Sequence, residues 1–105
     1  MLMMLLNGST VKMKYQLSGK FRKKYKKQNV RIKNAIEETL QKFSKNPQDS
    51  SLHNHPLERK LQGFRSINIG DIDNNYRAIY EVVTDDNDSF AYFEDFGTHE
   101  ELFKD

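Results

Sequence analysis

Apolar and polar positions alternate over Met13-Lys14-Tyr15-Gln16-Leu17, which predicts a short strand with Met13, Tyr15 and Leu17 inward. The spacing then changes. Phe21 and Tyr25 lie four apart, so residues 20–27 are expected to be helical, with Ser18 offering an N-cap oxygen and Gly19 easing the turn. Ile32, Ile36, Leu40 and Phe43 recur at helical spacing, with Ala35 and Thr39 alongside and Glu37, Glu38 and Gln41 on the outer face. This predicts a second helix over Val30–Lys45. Asn29 caps it, and Asn46-Pro47 stops it, because the residue before a proline disfavours helix. Two helices joined by almost nothing form a hairpin with one apolar seam.

After the polar segment 48–54 the period shortens to two. Leu57–Gln62 is expected as a first central strand, with Gly63 a tight turn or bulge. From Phe64 to Ile69, Ile67 and Ile69 share one face, and Ser66 and Asn68 the other. Residues 70–75 have the composition of a hairpin loop. From Tyr76 to Val83, Tyr76, Ala78, Tyr80 and Val82 share a face, opposite Arg77, Ile79, Glu81 and Val83. A turn over Thr84–Asp88 leads into a last, aromatic-rich strand, Ser89–Phe96. The class is α+β: an N-terminal strand and a two-helix hairpin packed on one face of a curled, mainly antiparallel sheet of about four to five strands. The other face is left open, and an open sheet face is a place to bind something.

Length changes this picture little. The 105 residues suit a single domain over residues 13–105. Residues 1–12, opening Met1-Leu2-Met3-Met4-Leu5-Leu6, are expected to be a disordered extension. That run is too short for a signal-peptide core, and Met13 is a candidate start. Nothing in the chain approaches the roughly 20 apolar residues a bilayer crossing needs. The absence of cysteine excludes disulfides and thiolate metal sites and suits a reducing cytoplasm.

Charge changes the picture more. The net charge is only +2, yet ten Lys or Arg and no Asp or Glu lie between Lys12 and Lys33. From Glu81 to Asp105 there are nine acids and one lysine. The basic half suits a phosphate backbone, whose neutralisation releases counterions. A solvated helix face beside an acidic strand pair would look the same.

The chemistry-bearing residues fall around the sheet. His55 precedes it, Arg77 stands on it and His99 follows it, so the three could converge on one phosphate. Each has a plainer alternative: His55 capping a carbonyl, Arg77 paired with Glu94 or Glu81, His99 paired with Glu100 or Asp95. His53 and His55, with Asp73 or His99, could also be read as metal ligands, but nothing else in the sequence supports a metal, and no cofactor is expected.

Four pieces occur in order: His55-Pro56-Leu57, Gly63-Phe64-Arg65-Ser66, Tyr76-Arg77-Ala78-Ile79-Tyr80 and Gly97-Thr98-His99-Glu100-Glu101-Leu102-Phe103. Together, from about Met13 onward, they resemble the RelE/ParE superfamily of bacterial toxins, and its YafQ branch most. The resemblance implies a RelE-like fold and a type II toxin that enters the ribosomal A site and cuts mRNA there. It implies a cognate antitoxin, operator DNA bound only through the toxin–antitoxin complex, and no membrane partner. Carried over residue by residue, it makes His55 the general base, His99 the general acid, Arg77 the clamp on the transition state and Phe103 a stacking aromatic. It puts the family's acidic residue at Asp71 or Asp73, with Asp73 favoured as nearer the strand. Lys60 and Arg65 are expected on an RNA backbone, and Lys23, Lys24, Lys26 and Lys27 on ribosomal RNA. Asn68 stands where many YafQ-like relatives have a second histidine; it can orient a group but not exchange protons near neutrality. Asp95 stands where some relatives are basic. The competing expectations are a ParE-like toxin that inhibits DNA gyrase without cutting RNA, and a decayed toxin that only binds antitoxin.

Overall fold

The protein is described by a computed structural model over residues 13–70, 72 and 75–103. The expected extension at residues 1–12 and Asp73 lie outside the described residues. Five strands and three helices follow in the order β1 (Lys14–Leu17), α1 (Gly19–Lys26), α2 (Val30–Lys45), β2 (His55–Pro56), β3 (Arg65–Asn68), β4 (Tyr76–Asp85), β5 (Asp88–Thr98) and α3 (His99–Phe103). No helix among the described residues is long and apolar enough to cross a membrane.

The helices begin where the caps predicted. Ser18 Oγ accepts the Phe21 N–H at 3.0 Å and donates to the Glu94 carbonyl at 2.7 Å, so the cap of α1 is also fastened to the sheet. Asn29 Oδ1 accepts the Ile32 N–H at 2.9 Å and starts α2. The apolar stripe of α2 buries Ala35, Ile36, Thr39, Leu40 and Phe43. Phe43 meets Tyr80 and Phe93 with ring centroids 5.0 and 5.2 Å apart, and Phe21 meets Phe96 at 4.8 Å. Edge-to-face and tilted aromatic contacts of this kind add to the area they bury.

The sheet runs β1-β5-β4-β3-β2. β1 pairs with β5 in parallel, and the other neighbours are antiparallel. The sheet stays open, with β1 and β2 as its edges, so the expected curl does not close it. In β5 the register slips: Ile79 pairs with Asp95 but Tyr80 with Phe93, leaving Glu94 as the extra residue of a bulge. This lets Phe93 and Phe96, three apart in sequence, both reach the core.

Three expectations need correction. Leu57–Gln62 is not a strand. β2 is the two residues before it, and Arg59–Leu61 form a 3-10 turn. Arg59 (φ +58°) and Gly63 (φ +97°) both adopt the left-handed region, which breaks any extended run, and the Leu57 N–H closes the loop on the Phe64 carbonyl at 2.9 Å. The Thr84–Asp88 turn is tighter than its composition suggests. Pairing continues to Asp85 opposite Asp88, and Asp86 takes φ +55° at the tip. The last strand runs on to Thr98 and ends in α3, which the strand pattern did not predict.

Candidate active site

Strand register puts most of the candidate side chains on the sheet face opposite the core. Ile67 pairs with Ala78 on the core side, so the alternating positions Ser66 and Asn68 of β3 and Arg77 of β4 face away from it. One cross-strand row reads His55, Ser66, Ile79; the next reads Asn68, Arg77, Gly97. Directly opposed residues stand about 5 Å apart and diagonal ones about 7–8 Å, so Ser66 adjoins His55 and lies diagonal to Arg77. His99 follows two residues after Gly97, the partner of Arg77. His55 lies on β2 and His99 just past the end of β5, three strands away, so the two histidines lie on either side of Asn68 and Arg77.

Three buried polar atoms of this centre have no hydrogen-bond partner among the described residues: Ser66 Oγ, Asn68 Oδ1 and Arg77 Nη1. Buried polar groups are nearly always satisfied, so three without partners on adjacent positions of one face single this face out as the candidate site. The carboxylate alternative for Arg77 is not realised. The ion pairs among the described residues are Lys14–Asp88, Lys20–Asp95 and Lys24–Asp95.

His55 is exposed at the sheet edge, with Nδ1 3.1 Å from the Pro56 carbonyl. A proton on Nδ1 donated to that carbonyl leaves the Nε2 lone pair free to accept another. His99 opens α3 and is held by a reciprocal cap. The Thr98 N–H donates to Glu101 Oε1 at 2.9 Å, and the Glu101 N–H donates to Thr98 Oγ1 at 3.2 Å. The ring of Phe103 leans on His99 at 4.7 Å, and both line a shallow pocket with Thr98, Glu100 and Glu101. Phe103 is half-buried there and lies outside the core cluster.

Other expected residues are placed differently. Arg65 pairs with Tyr80 in register and so points to the helix side of the sheet, where its Nε–H donates to Asn54 Oδ1 at 2.9 Å. Lys60 is exposed on the 3-10 turn beside β2. Lys23 and Lys26 on α1 and Lys27 at its C-cap are exposed. Lys24 is not free: it donates to Asp95 Oδ1 at 2.9 Å and to the Phe96 carbonyl, and its ammonium lies 5.3 Å from the centre of the Phe96 ring. Asp95 is buried, countered also by Lys20 at 3.3 Å, so its charge is largely spent within the fold. His53, on a left-handed turn, is exposed, and no group of three His, Asp or Glu among the described residues is placed to hold a metal.

Two features were missed. Ser66 shares the Asn68 face in the alternating pattern, a signal that a small polar residue on a central strand should have raised. The capping pair was legible as Thr98-x-x-Glu101.

The sheet is bulged and open, with a helical hairpin on one face and a polar face carrying an arginine and histidines on the other. The family model for the ParE toxin of type II toxin–antitoxin systems matches residues 15–103, and the chain belongs to that family. No curated protein matches it by sequence. Among solved structures, the YafQ toxin from Escherichia coli strain BL21(DE3) is 25% identical with a TM-score of 0.62, over 88% of this chain and 99% of that one. The E. coli DinJ–YafQ complex gives 25% identity and a TM-score of 0.60 over 88% and 99%. A YoeB/ParE toxin from Agrobacterium tumefaciens, at 17% identity, shares the fold with a TM-score of 0.64 over 83% and 99%. Within the RelE/ParE superfamily the chain is a YafQ-like toxin.

Proposed function

We propose that this toxin is a ribosome-dependent endoribonuclease that cleaves mRNA in the A site without a metal and is neutralised by a cognate antitoxin. The observation that carries the reading is the part-buried Arg77 beside Asn68, whose Nη1 has no partner among the described residues, flanked by His55 and His99 on an open face. The chemistry is a transesterification. His55 takes the proton of the 2′-hydroxyl, the 2′-oxygen attacks the adjacent phosphorus, and the bond to the 5′-oxygen breaks. His99 gives that oxygen its proton, leaving a 2′,3′-cyclic phosphate and a 5′-hydroxyl. The planar fork of Arg77 meets the charge that develops on the non-bridging oxygens. Phe103, already against His99, offers a face on which a base can stack. Asp73 is proposed as the family's acidic residue. Lys60 and the exposed lysines of α1 bind the RNA backbone. Arg65, tied to Asn54 on the other face, supports the sheet edge.

The antitoxin is inferred from the DinJ–YafQ complex, in which the similar toxin is bound to its partner. Operator DNA would be met only through such a complex, and the cytoplasm is the compartment where ribosomes are met. A second reading, a gyrase poison without nuclease activity, is favoured by the ParE identity of the family model. One experiment separates them: induced expression in a translating bacterium, with primer extension on a reporter mRNA. In-frame cuts that disappear with His55→Ala, Arg77→Ala and His99→Ala are expected. Growth arrest without cuts would point to gyrase, and the absence of either effect would point to a toxin that only binds antitoxin.

A further inference from the structure

Of the three orphaned polar atoms, Arg77 Nη1 has a use in the proposed reaction and Asn68 Oδ1 is an acceptor suited to a ribose hydroxyl. Ser66 has none. Its side chain is fully buried, at 0% exposure, and its hydroxyl has no partner among the described residues. A buried serine of purely structural value would be hydrogen-bonded, since an unmade bond there costs stability that alanine would not. The position is also specific. Ser66 is the cross-strand neighbour of His55 and lies diagonal to Arg77, so it sits between the group that takes a proton and the group that grips the phosphate. Arg77 has no ion pair among the described residues to hold it in one place over the sheet.

We infer that Ser66 is a further catalytic residue: its hydroxyl donates a hydrogen bond to a non-bridging oxygen of the scissile phosphate, beside the Arg77 clamp. The assignment rests on the nuclease reading above. A serine hydroxyl is a donor that can rotate to a phosphate oxygen without being ionised. It makes no covalent bond and moves no proton; it strengthens as negative charge gathers on that oxygen. The ligand class is a phosphodiester, and the orphaned acceptor of Asn68 alongside fits one that carries a 2′-hydroxyl.

The test uses purified ribosomes programmed with an mRNA whose scissile linkage has first been mapped, under single turnover. Ser66→Ala is expected to slow cleavage about 100- to 1000-fold, the scale for losing a neutral donor to a developing oxyanion, with ribosome binding unchanged. Substituting sulfur for each non-bridging oxygen in turn should slow the wild type strongly at one diastereomer. Ser66→Ala should be much less sensitive at that same diastereomer, because the bond is already gone. The melting temperature of Ser66→Ala should stay level or rise, as a buried unmet hydroxyl has been removed. Cleavage by Ser66→Ala within about twofold of wild type would overturn the assignment, as would slow cleavage that keeps the full sulfur effect with a lowered melting temperature. In either of those cases wild type still cuts and His99→Ala still fails, so the nuclease reading stands. A wild type that cuts no mRNA removes both.

Discussion

Gly97 is the position where a single methyl group tests how His99 is held. A Cβ built on Gly97 would lie 2.7 Å from Glu101 Oε1 and 3.4 Å from Lys24 Nζ. The first distance is too short to keep, so the Glu101 carboxylate must leave the Thr98 N–H that it accepts at 2.9 Å. Loss of a capping bond costs about 1 kcal/mol. Against that, Gly97 has none of the left-handed conformation that Gly63 has, so replacing it with alanine restricts the unfolded chain and returns about 0.5 kcal/mol. The net loss of about 0.5 kcal/mol should lower the melting temperature by about 2–4 °C. Glu101→Ala removes the group that clashes. In that background Gly97→Ala keeps only its entropic gain, and the melting temperature should rise by a few degrees. The cycle of four proteins, measured by calorimetry, should give a coupling near 1 kcal/mol and a reversal of sign. Because His99 is the first residue of the helix this cap starts, Gly97→Ala should also slow mRNA cleavage on ribosomes while sparing ribosome binding. The same shift in both backgrounds would refute the capping argument. A lowered melting temperature with full cleavage would refute the link from cap to histidine.

Two further outcomes follow from the helical hairpin. Replacing Lys23, Lys26 and Lys27 together by glutamine should weaken ribosome association and flatten its dependence on log salt by about 2–3 units, whereas Lys24→Gln should barely change that slope and should lower the melting temperature instead; equal slopes for the two proteins would show that Lys24 is not withheld from RNA by Asp95. Tyr25 donates its phenolic proton to Glu37, and this bond raises its pKa above the ordinary 10.0; the group is therefore more protonated when folded, its contribution is complete below the unfolded pKa and is lost as pH rises through the folded one, so Tyr25→Phe should delete one late step from an absorbance titration of tyrosinate and flatten the alkaline loss of stability.

Much of the fold was legible because its signals are local. Ser18 and Asn29 announce helices by side-chain oxygens that the first turn needs, and Ile32, Ile36, Leu40 and Phe43 define α2 by period alone. What the sequence could not show was non-local or left-handed. The parallel pairing of β1 with β5 joins Tyr15 to Ala91 across most of the chain, and no spacing encodes it. Leu57–Gln62 fails as a strand because of the backbone sign at Arg59, a residue type that gives no hint of it. The candidate site was partly legible for the same reasons. His55, Arg77 and His99 stood out by chemistry and Asn68 by departure from its relatives. Arg65 was expected on an RNA backbone, and only its pairing with Tyr80 shows that it lies on the helix side of the sheet.

The charge asymmetry also means something different in three dimensions. A chain whose cations gather at one end and whose acids gather at the other resembles a molecule with two opposed surfaces. Here the parallel seam brings the ends together. Lys14 meets Asp88 at 2.6 Å, holding the Asp88 carboxyl below its usual pKa, while Lys20 and Lys24 both meet Asp95. Lys14 and Asp88 are exposed, and such a pair adds little to stability. The Asp95 pairs are different, because a carboxylate with a side chain 13% exposed needs its partners. Lys24 thereby joins α1 to the stretch of β5 that leads into Thr98 and His99, fixing the approach to the site rather than enlarging the basic face. On α1 and its C-cap the cations left to face a polyanion are Arg22, Lys23, Lys26 and Lys27, all exposed. Under the proposed nuclease reading, the lysines that the acidic strand does not reach are the ones available to RNA, and the aspartate that looked unfavourable for phosphate binding is already countered by Lys20 and Lys24.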